Sequence, residues 1–131
     1  MADFVLDTHA CVYCLAAPHK LGPAARAAME SVEQGHGIAW VPAAVAAEVI
    51  LLKELGRIGI GLPELREAME ASACFRFLPL DLHQLDDFAA HRSTRDPFDR
   101  FILSAARTIG AKLLTKDRAL VESGLVQTVW K

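Results

Sequence analysis

Ile38-Ala39-Trp40-Val41-Pro42-Ala43-Ala44-Val45-Ala46-Ala47-Glu48-Val49-Ile50-Leu51-Leu52 runs from a four-residue apolar segment into a longer one, with a proline at the junction. Ile38 to Val41 has the length and composition of a buried strand. Pro42 suits the first turn of a helix that continues to about Leu55, where Gly56 marks its end. This change from strand-like to helix-like spacing sets the rhythm of the whole chain.

The same alternation extends to both sides. Toward the N-terminus, Asp3 to Leu6 reads as a strand and Thr8 to Ala16 as a helix. Pro23 to Gln34 reads as a second helix entered through Leu21-Gly22-Pro23, and Gly35-His36-Gly37 breaks the chain before the quoted strand. Toward the C-terminus, Gly56 to Gly61 is a loop, Pro63 to Ala71 a helix, Phe75 to Leu78 a strand and Leu82 to His91 a helix. Asp96-Pro97 opens a helix whose residues Phe98, Ile102, Ala105, Ala106 and Ile109 share one apolar face, and Gly110 stops it. Lys112 to Thr115 then reads as a central strand, Arg118 to Glu122 as a short helix, and Thr128 to Trp130 as a last strand. Strands alternating with helices predict an α/β domain with a central, mostly parallel sheet. At 131 residues, 53% hydrophobic and 23% charged, with no repeat or linker, the chain is expected to form one globular domain over residues 1–131.

Composition narrows the function. A net charge of −2 and a pI near 6.2 argue against a polybasic nucleic-acid binder, while leaving room for local basic patches. No apolar run is long enough to span a membrane, and no basic-then-apolar leader precedes the first strand, so a cytoplasmic protein without membrane association is expected. Cys11, Cys14 and Cys74 leave one thiol unpaired under any disulfide scheme, which suits a reducing compartment.

The residues that carry chemistry are acids in apolar surroundings. Asp7 ends Phe4-Val5-Leu6, Glu48 interrupts the Ala/Val/Leu helix, Asp99 lies in Asp96-Pro97-Phe98-Asp99-Arg100, and Asp117 follows Lys112-Leu113-Leu114-Thr115. Asp7 and Asp117 fall at or just past strand ends, where open parallel sheets bind ligands. Each aspartate also has a structural reading: Asp7, Asp96 and Asp117 can cap helices, and Asp99 can stand at the third helical position. Glu48 has no such role in mid-helix, so its structural reading needs a buried Arg or Lys partner. Two carboxylates about 4 Å apart repel by about 4 kcal/mol at an effective dielectric near 20, which a divalent cation would relieve. All-oxygen ligands suit magnesium or manganese, and the chemistry implied is phosphodiester hydrolysis.

In order, spacing and context these strings resemble the PIN-domain ribonucleases, and within them the VapC-type toxins of bacterial toxin–antitoxin pairs. Phe4-Val5-Leu6-Asp7-Thr8-His9-Ala10 is similar to the family's opening strand and first acid, Ala47-Glu48-Val49 to the second, Asp96-Pro97-Phe98-Asp99-Arg100-Phe101-Ile102 to the third, and Leu114-Thr115-Lys116-Asp117 to the fourth. The resemblance spans nearly the whole chain and implies a three-layer α/β/α PIN-like domain. It makes Asp7, Glu48, Asp99 and Asp117 the catalytic metal ligands or organisers of metal-bound water, with Asp96 either joining the metal site, supporting it, or only capping its helix. It also implies Mg2+ or Mn2+ as cofactor, cleavage of RNA such as transfer or ribosomal RNA with inhibition of translation, a small cognate antitoxin, and a homodimer. Two alternatives stay open: a PIN-type RNA-processing nuclease outside a toxin–antitoxin pair, and a non-catalytic PIN-like interaction module.

An acidic centre repels RNA, so Arg92, Arg95, Arg100, Lys116 and Arg118, with His91 close by, are candidates for a cationic flank that binds substrate. Ordinary solvated charges are the competing reading for each. Cys11-Val12-Tyr13-Cys14 has redox spacing but lies within the expected first helix and is read as buried packing. His9 could face substrate or an acid, or be a surface residue. Trp40, Leu51 and Leu52 are assigned to the core, and Ile58 and Ile60, set among glycines, to a partner interface.

Overall fold

The computed structural model describes residues 2–94 and 96–131. Its elements follow the sequence rhythm closely: β1 (Phe4–Leu6), α1 (Thr8–Ala16), a 3-10 turn (Pro18–Lys20), α2 (Pro23–Glu33), β2 (Ala39–Pro42), α3 (Ala43–Glu54), α4 (Leu62–Ala71) and β3 (Phe75–Leu78). They continue as α5 (Leu82–Ala90), α6 (Pro97–Ile109), β4 (Lys112–Leu114), α7 (Arg118–Glu122) and β5 (Thr128–Val129). Aspartates start four of the helices, since Asp7, Asp81, Asp96 and Asp117 each accept a backbone N–H from the first turn of α1, α5, α6 and α7. Gly110 ends α6 with φ +66°, a left-handed conformation that favours glycine.

The five strands form one sheet in the order β3-β2-β1-β4-β5, and every pairing is parallel. The chain first steps outward from β1 to β2 and β3, then returns to the other side of β1 for β4 and β5. Right-handed crossovers therefore put α1 to α4 on one face and α5 to α7 on the other, giving three layers. Val5, Leu6, Val41, Leu113 and Leu114 are fully buried in the sheet, packed with Val45, Val49, Leu65, Ile102 and Leu120 from the helices. The direction of strand order reverses between β1 and β4, and such a switch point opens a crevice beyond the strands' carboxyl ends.

Three local expectations change. Pro42 is the last residue of β2, in register with Leu78, and is extended at φ −63° and ψ 153°, so it precedes α3 instead of forming its first turn. Ile58 and Ile60 pack against the core, while Leu51 and Leu55 on α3 are 44% and 67% exposed. The glycine-rich loop is held by Lys53 Nζ, which donates to the Gly59 carbonyl at 2.9 Å, and so folds its isoleucines inward. The unexpected 3-10 turn leads to Gly22, where an added Cβ would lie 2.2 Å from the Trp130 carbonyl oxygen. That oxygen accepts the Ala24 and Ala25 N–H groups, both at 3.1 Å, so the C-terminal segment caps α2.

Candidate active site

Asp7 leaves β1 at the switch point and is 5% exposed. Its Oδ1 accepts the Ala10 N–H at 2.8 Å, and its Oδ2 accepts the hydroxyl of Thr115, a fully buried residue just past β4. Thr115 Oγ1 in turn accepts the Asp117 N–H at 3.0 Å, so one hydroxyl ties the acid after β1 to the backbone of the acid after β4. The Asp7 N–H also donates to the Leu114 carbonyl at 3.2 Å. Burial holds the Asp7 carboxyl above its ordinary pKa, against the lowering effect of Thr115, Ala10 and His9.

Glu48 is half-buried on α3 and accepts the hydroxyl of Thr8, itself buried at the start of α1. Among the described residues it forms no ion pair, so its partner is a threonine and not the Arg or Lys that a purely structural role would need. Asp99 is half-buried on the first turn of α6. Its carboxyl is pushed up to about 7, first by burial and then by repulsion from Asp117, Asp96, Glu48 and Asp7. Five acids from four separate stretches of sequence thus gather at one crevice, four of them acting on Asp99.

Capping occupies only one oxygen of each of two acids. Asp96 Oδ1 accepts the Phe98 and Asp99 N–H groups at 2.8 and 3.2 Å, and Asp117 Oδ1 accepts those of Ala119 and Leu120 at 2.8 and 3.3 Å. Each cap uses one carboxylate oxygen and fixes the orientation of the other. Among the described residues, no three His, Cys, Asp or Glu side chains already form a coordination shell. The carboxylates share a neighbourhood and an all-oxygen chemistry suited to a hard divalent cation.

The expected cationic flank is unevenly placed. Lys116 is exposed and lines a cleft with Asp7, His9, Tyr13 and Asp117. Arg92 is exposed beyond α5, and Arg95 lies outside the described residues. Arg118 is 89% exposed and pairs with Glu122 at 2.8 Å, one turn along α7. Arg100 turns away from the acids: its Nε donates to the Phe88 carbonyl at 3.0 Å and its guanidinium stacks 3.8 Å from the Phe88 ring. A planar fork finds both a helix-end carbonyl and an aromatic face there, so Arg100 is engaged at the α5–α6 contact.

Thr8, Thr115 and Tyr13 are site residues that sequence reasoning passed over. The threonines could have been noticed as hydroxyls within two residues of a strand-end acid. Tyr13 follows Asp7 by six residues on α1, which gave no signal until the fold placed it in the cleft. Cys11 and Cys14 are in α1 as expected. Burial raises both thiols, that of Cys14 to about 12, so neither is primed as a nucleophile. A second hollow, almost wholly apolar, lies between α3, α5 and α6, bounded by Ala44, Ala47, Leu80, Phe98 and Phe101.

Solved structures share this fold. The chain is similar to a VapBC2 structure from Rickettsia felis bound to a DNA fragment from their promoter, with TM-score 0.71, 14% identity, and coverage of 98% of this chain and 99% of that one. It is similar to the DNA-bound VapBC of Salmonella typhimurium, with TM-score 0.69, 14% identity and coverage of 98% and 97%. It is also similar to FitAcB of Neisseria gonorrhoeae, with TM-score 0.62, 22% identity and coverage of 95% of each chain. No curated protein matches the chain by sequence. Residues 4–123 match the PIN domain, a span that contains β1, β4 and all five acids of the crevice, and the chain belongs to the PIN-domain family.

Proposed function

We propose that this protein is a magnesium- or manganese-dependent endoribonuclease that hydrolyses RNA phosphodiester bonds and acts as the toxin of a toxin–antitoxin pair, inhibiting translation. The observation that carries this reading is the mutual repulsion of Asp99 with Asp117, Asp96, Glu48 and Asp7 at the switch point of a PIN-domain sheet. Such a cluster is costly with nothing bound and is relieved by a divalent ion. A bound ion would supply activation of water and charge neutralisation at the phosphate.

The chain's own groups divide the remaining work. Asp7, Glu48, Asp99 and Asp117 are the ligands. Thr115 and Thr8 hold Asp7 and Glu48 in fixed rotamers, as supporting hydrogen bonds do at metal sites. Asp96 orients α6 through its cap and adds negative charge beside Asp99. Lys116, at the rim of the cleft, is the cation best placed to receive a phosphate, with Arg92 and Arg118 as outlying charges. The apolar hollow between α3, α5 and α6, together with exposed Leu51 and Leu55, would be covered by an antitoxin segment or a second protomer. The likeness in fold to VapBC and FitAB structures supports a small cognate antitoxin as partner.

The deciding experiment is cleavage of total RNA with Mg2+ or Mn2+, comparing wild type with Asp7→Asn and Asp99→Asn. Metal-dependent cleavage lost in both variants is expected. Equal activity in all three proteins, or activity indifferent to chelator, overturns the mechanism.

A further inference from the structure

Two lysines converge on one tyrosine at the edge of the acidic cleft. Lys20 Nζ, from the 3-10 turn, lies 5.6 Å from the centroid of the Tyr13 ring, and Lys116 Nζ, from the segment after β4, lies 5.0 Å from it. Both distances are within cation–π range. Both lysines are exposed, and among the described residues neither pairs with a carboxylate. Two ammonium groups at one ring, neither in an ion pair among the described residues, are placed to hold an anion there.

Two further rings adjoin it. His9, exposed and one turn earlier on α1, is 6.1 Å from Tyr13 between centroids, and Trp130 is 6.2 Å from it. The backbone of Trp130 is anchored, because its carbonyl accepts the Ala24 and Ala25 N–H groups at the start of α2. Tyr13 is only half-buried and lines the same cleft as Asp7 and Asp117. Adjoining aromatic rings with flanking ammonium groups match what an unpaired nucleotide presents: a π-face to stack and a phosphate to neutralise. Packing between α1 and the C-terminal segment explains the Tyr13–Trp130 contact, but it does not explain two lysines at the same ring that form no ion pair among the described residues.

We infer that Tyr13 is a base-stacking platform that positions an unpaired RNA nucleotide beside the acidic crevice, with Lys20 and Lys116 holding its phosphates. The assignment rests on the nuclease reading only for what happens at the acids; the binding it describes is measurable without turnover.

The test is equilibrium binding of a fluorescent single-stranded RNA octamer, and of the same octamer with one abasic position, to the full chain in Mg2+. An Asp99→Asn background prevents cleavage. Tyr13→Leu is expected to weaken binding of the intact octamer about tenfold, and Tyr13→Phe, which keeps the ring, less than about threefold. Lys20→Ala and Lys116→Ala are each expected to weaken binding and to lower the log–log dependence of affinity on salt by about 0.7. Placing the abasic position at each site in turn should reveal one at which the Tyr13→Leu effect disappears. Unchanged affinity in Tyr13→Leu, or an equal loss with every abasic octamer, overturns the platform even if wild type cleaves RNA. Tyr13-dependent binding by a wild-type chain that cleaves nothing leaves the platform standing and removes the nuclease reading. Should Tyr13→Leu fail to fold, unchanged affinity and salt slope in both exposed-lysine variants would overturn the proposal.

Discussion

Asp7 and Asp99 are both pushed toward neutrality by burial, yet the fold treats them in opposite ways. Asp7 is nearly sealed and answered within the chain: the Ala10 N–H and the Thr115 hydroxyl occupy its two oxygens, and His9 lowers its pKa. Asp99 is more open, and burial first and then repulsion from four further acids push it up to about 7, while the capping of its helix is done by Asp96. One acid is a fixed part of the framework, and the other carries a repulsion that no ion pair among the described residues relieves. For the proposed metal-dependent mechanism the two roles are complementary: a cation site gains from rigidity where geometry matters and from repulsion that a bound ion would relieve.

The largest effect should come from neutralising each acid. Asp7→Asn and Asp99→Asn should each lower metal-dependent RNA cleavage by about 100-fold or more, as loss of a directly acting charged group does. Their stabilities should diverge. In chelator near pH 8, Asp99→Asn should raise the urea midpoint by removing one of the repelling charges. Asp7→Asn should lower it, because an amide nitrogen in place of Oδ2 would face the donor hydrogen of Thr115. Parallel shifts in the two variants would dissolve the distinction between framework acid and ion-demanding acid.

A smaller effect is expected one bond further out. Thr115→Val keeps the volume but removes the hydroxyl between Asp7 and the Asp117 backbone. It should cost about 1–3 kcal/mol in urea unfolding and about tenfold in activity at limiting metal. Thr8→Val removes a single hydrogen bond to the half-buried Glu48 and should cost about 1 kcal/mol. Equal losses in the two variants would mean that the two sides of the crevice are braced alike.

The sheet and helices were legible because punctuation in this chain is strong: Gly56 and Gly110 end helices, Pro23 and Pro97 open them, and aspartates cap them. The acids were legible through their apolar settings. Partners settled by tertiary distance were not. Nothing local says that Thr115 reaches Asp7 across 108 positions, that Arg100 will choose the Phe88 carbonyl over a phosphate, or that Tyr13 will stand beside Lys116. The inward turn of Ile58 and Ile60 escaped for a related reason. Hydrophobicity identifies what can be buried, but which residues are buried depends on how a loop is tied down, here by Lys53.

The smallest effect is the most specific. In the unfolded chain Asp99 titrates near 3.8, whereas in the folded chain it titrates at about 7. Between those values the native state keeps a proton that the unfolded state has lost, so metal-free stability should fall as pH rises through that window. The stabilisation is fully present below about pH 4 and is gone once pH passes the folded value. Burial of Asp7 acts in the same direction. Since Asp99 is only half-buried, screening by solvent reduces its share to about 1 kcal/mol. Urea midpoints in chelator at pH 5 and pH 8 should therefore drop more for wild type than for Asp99→Asn, and Mg2+ at pH 8 should restore the wild type while leaving the variant nearly unmoved. An identical pH response in the two proteins would show that the repulsion around Asp99 is already relieved within the fold, and the case for an ion at this crevice would then lose its physical basis.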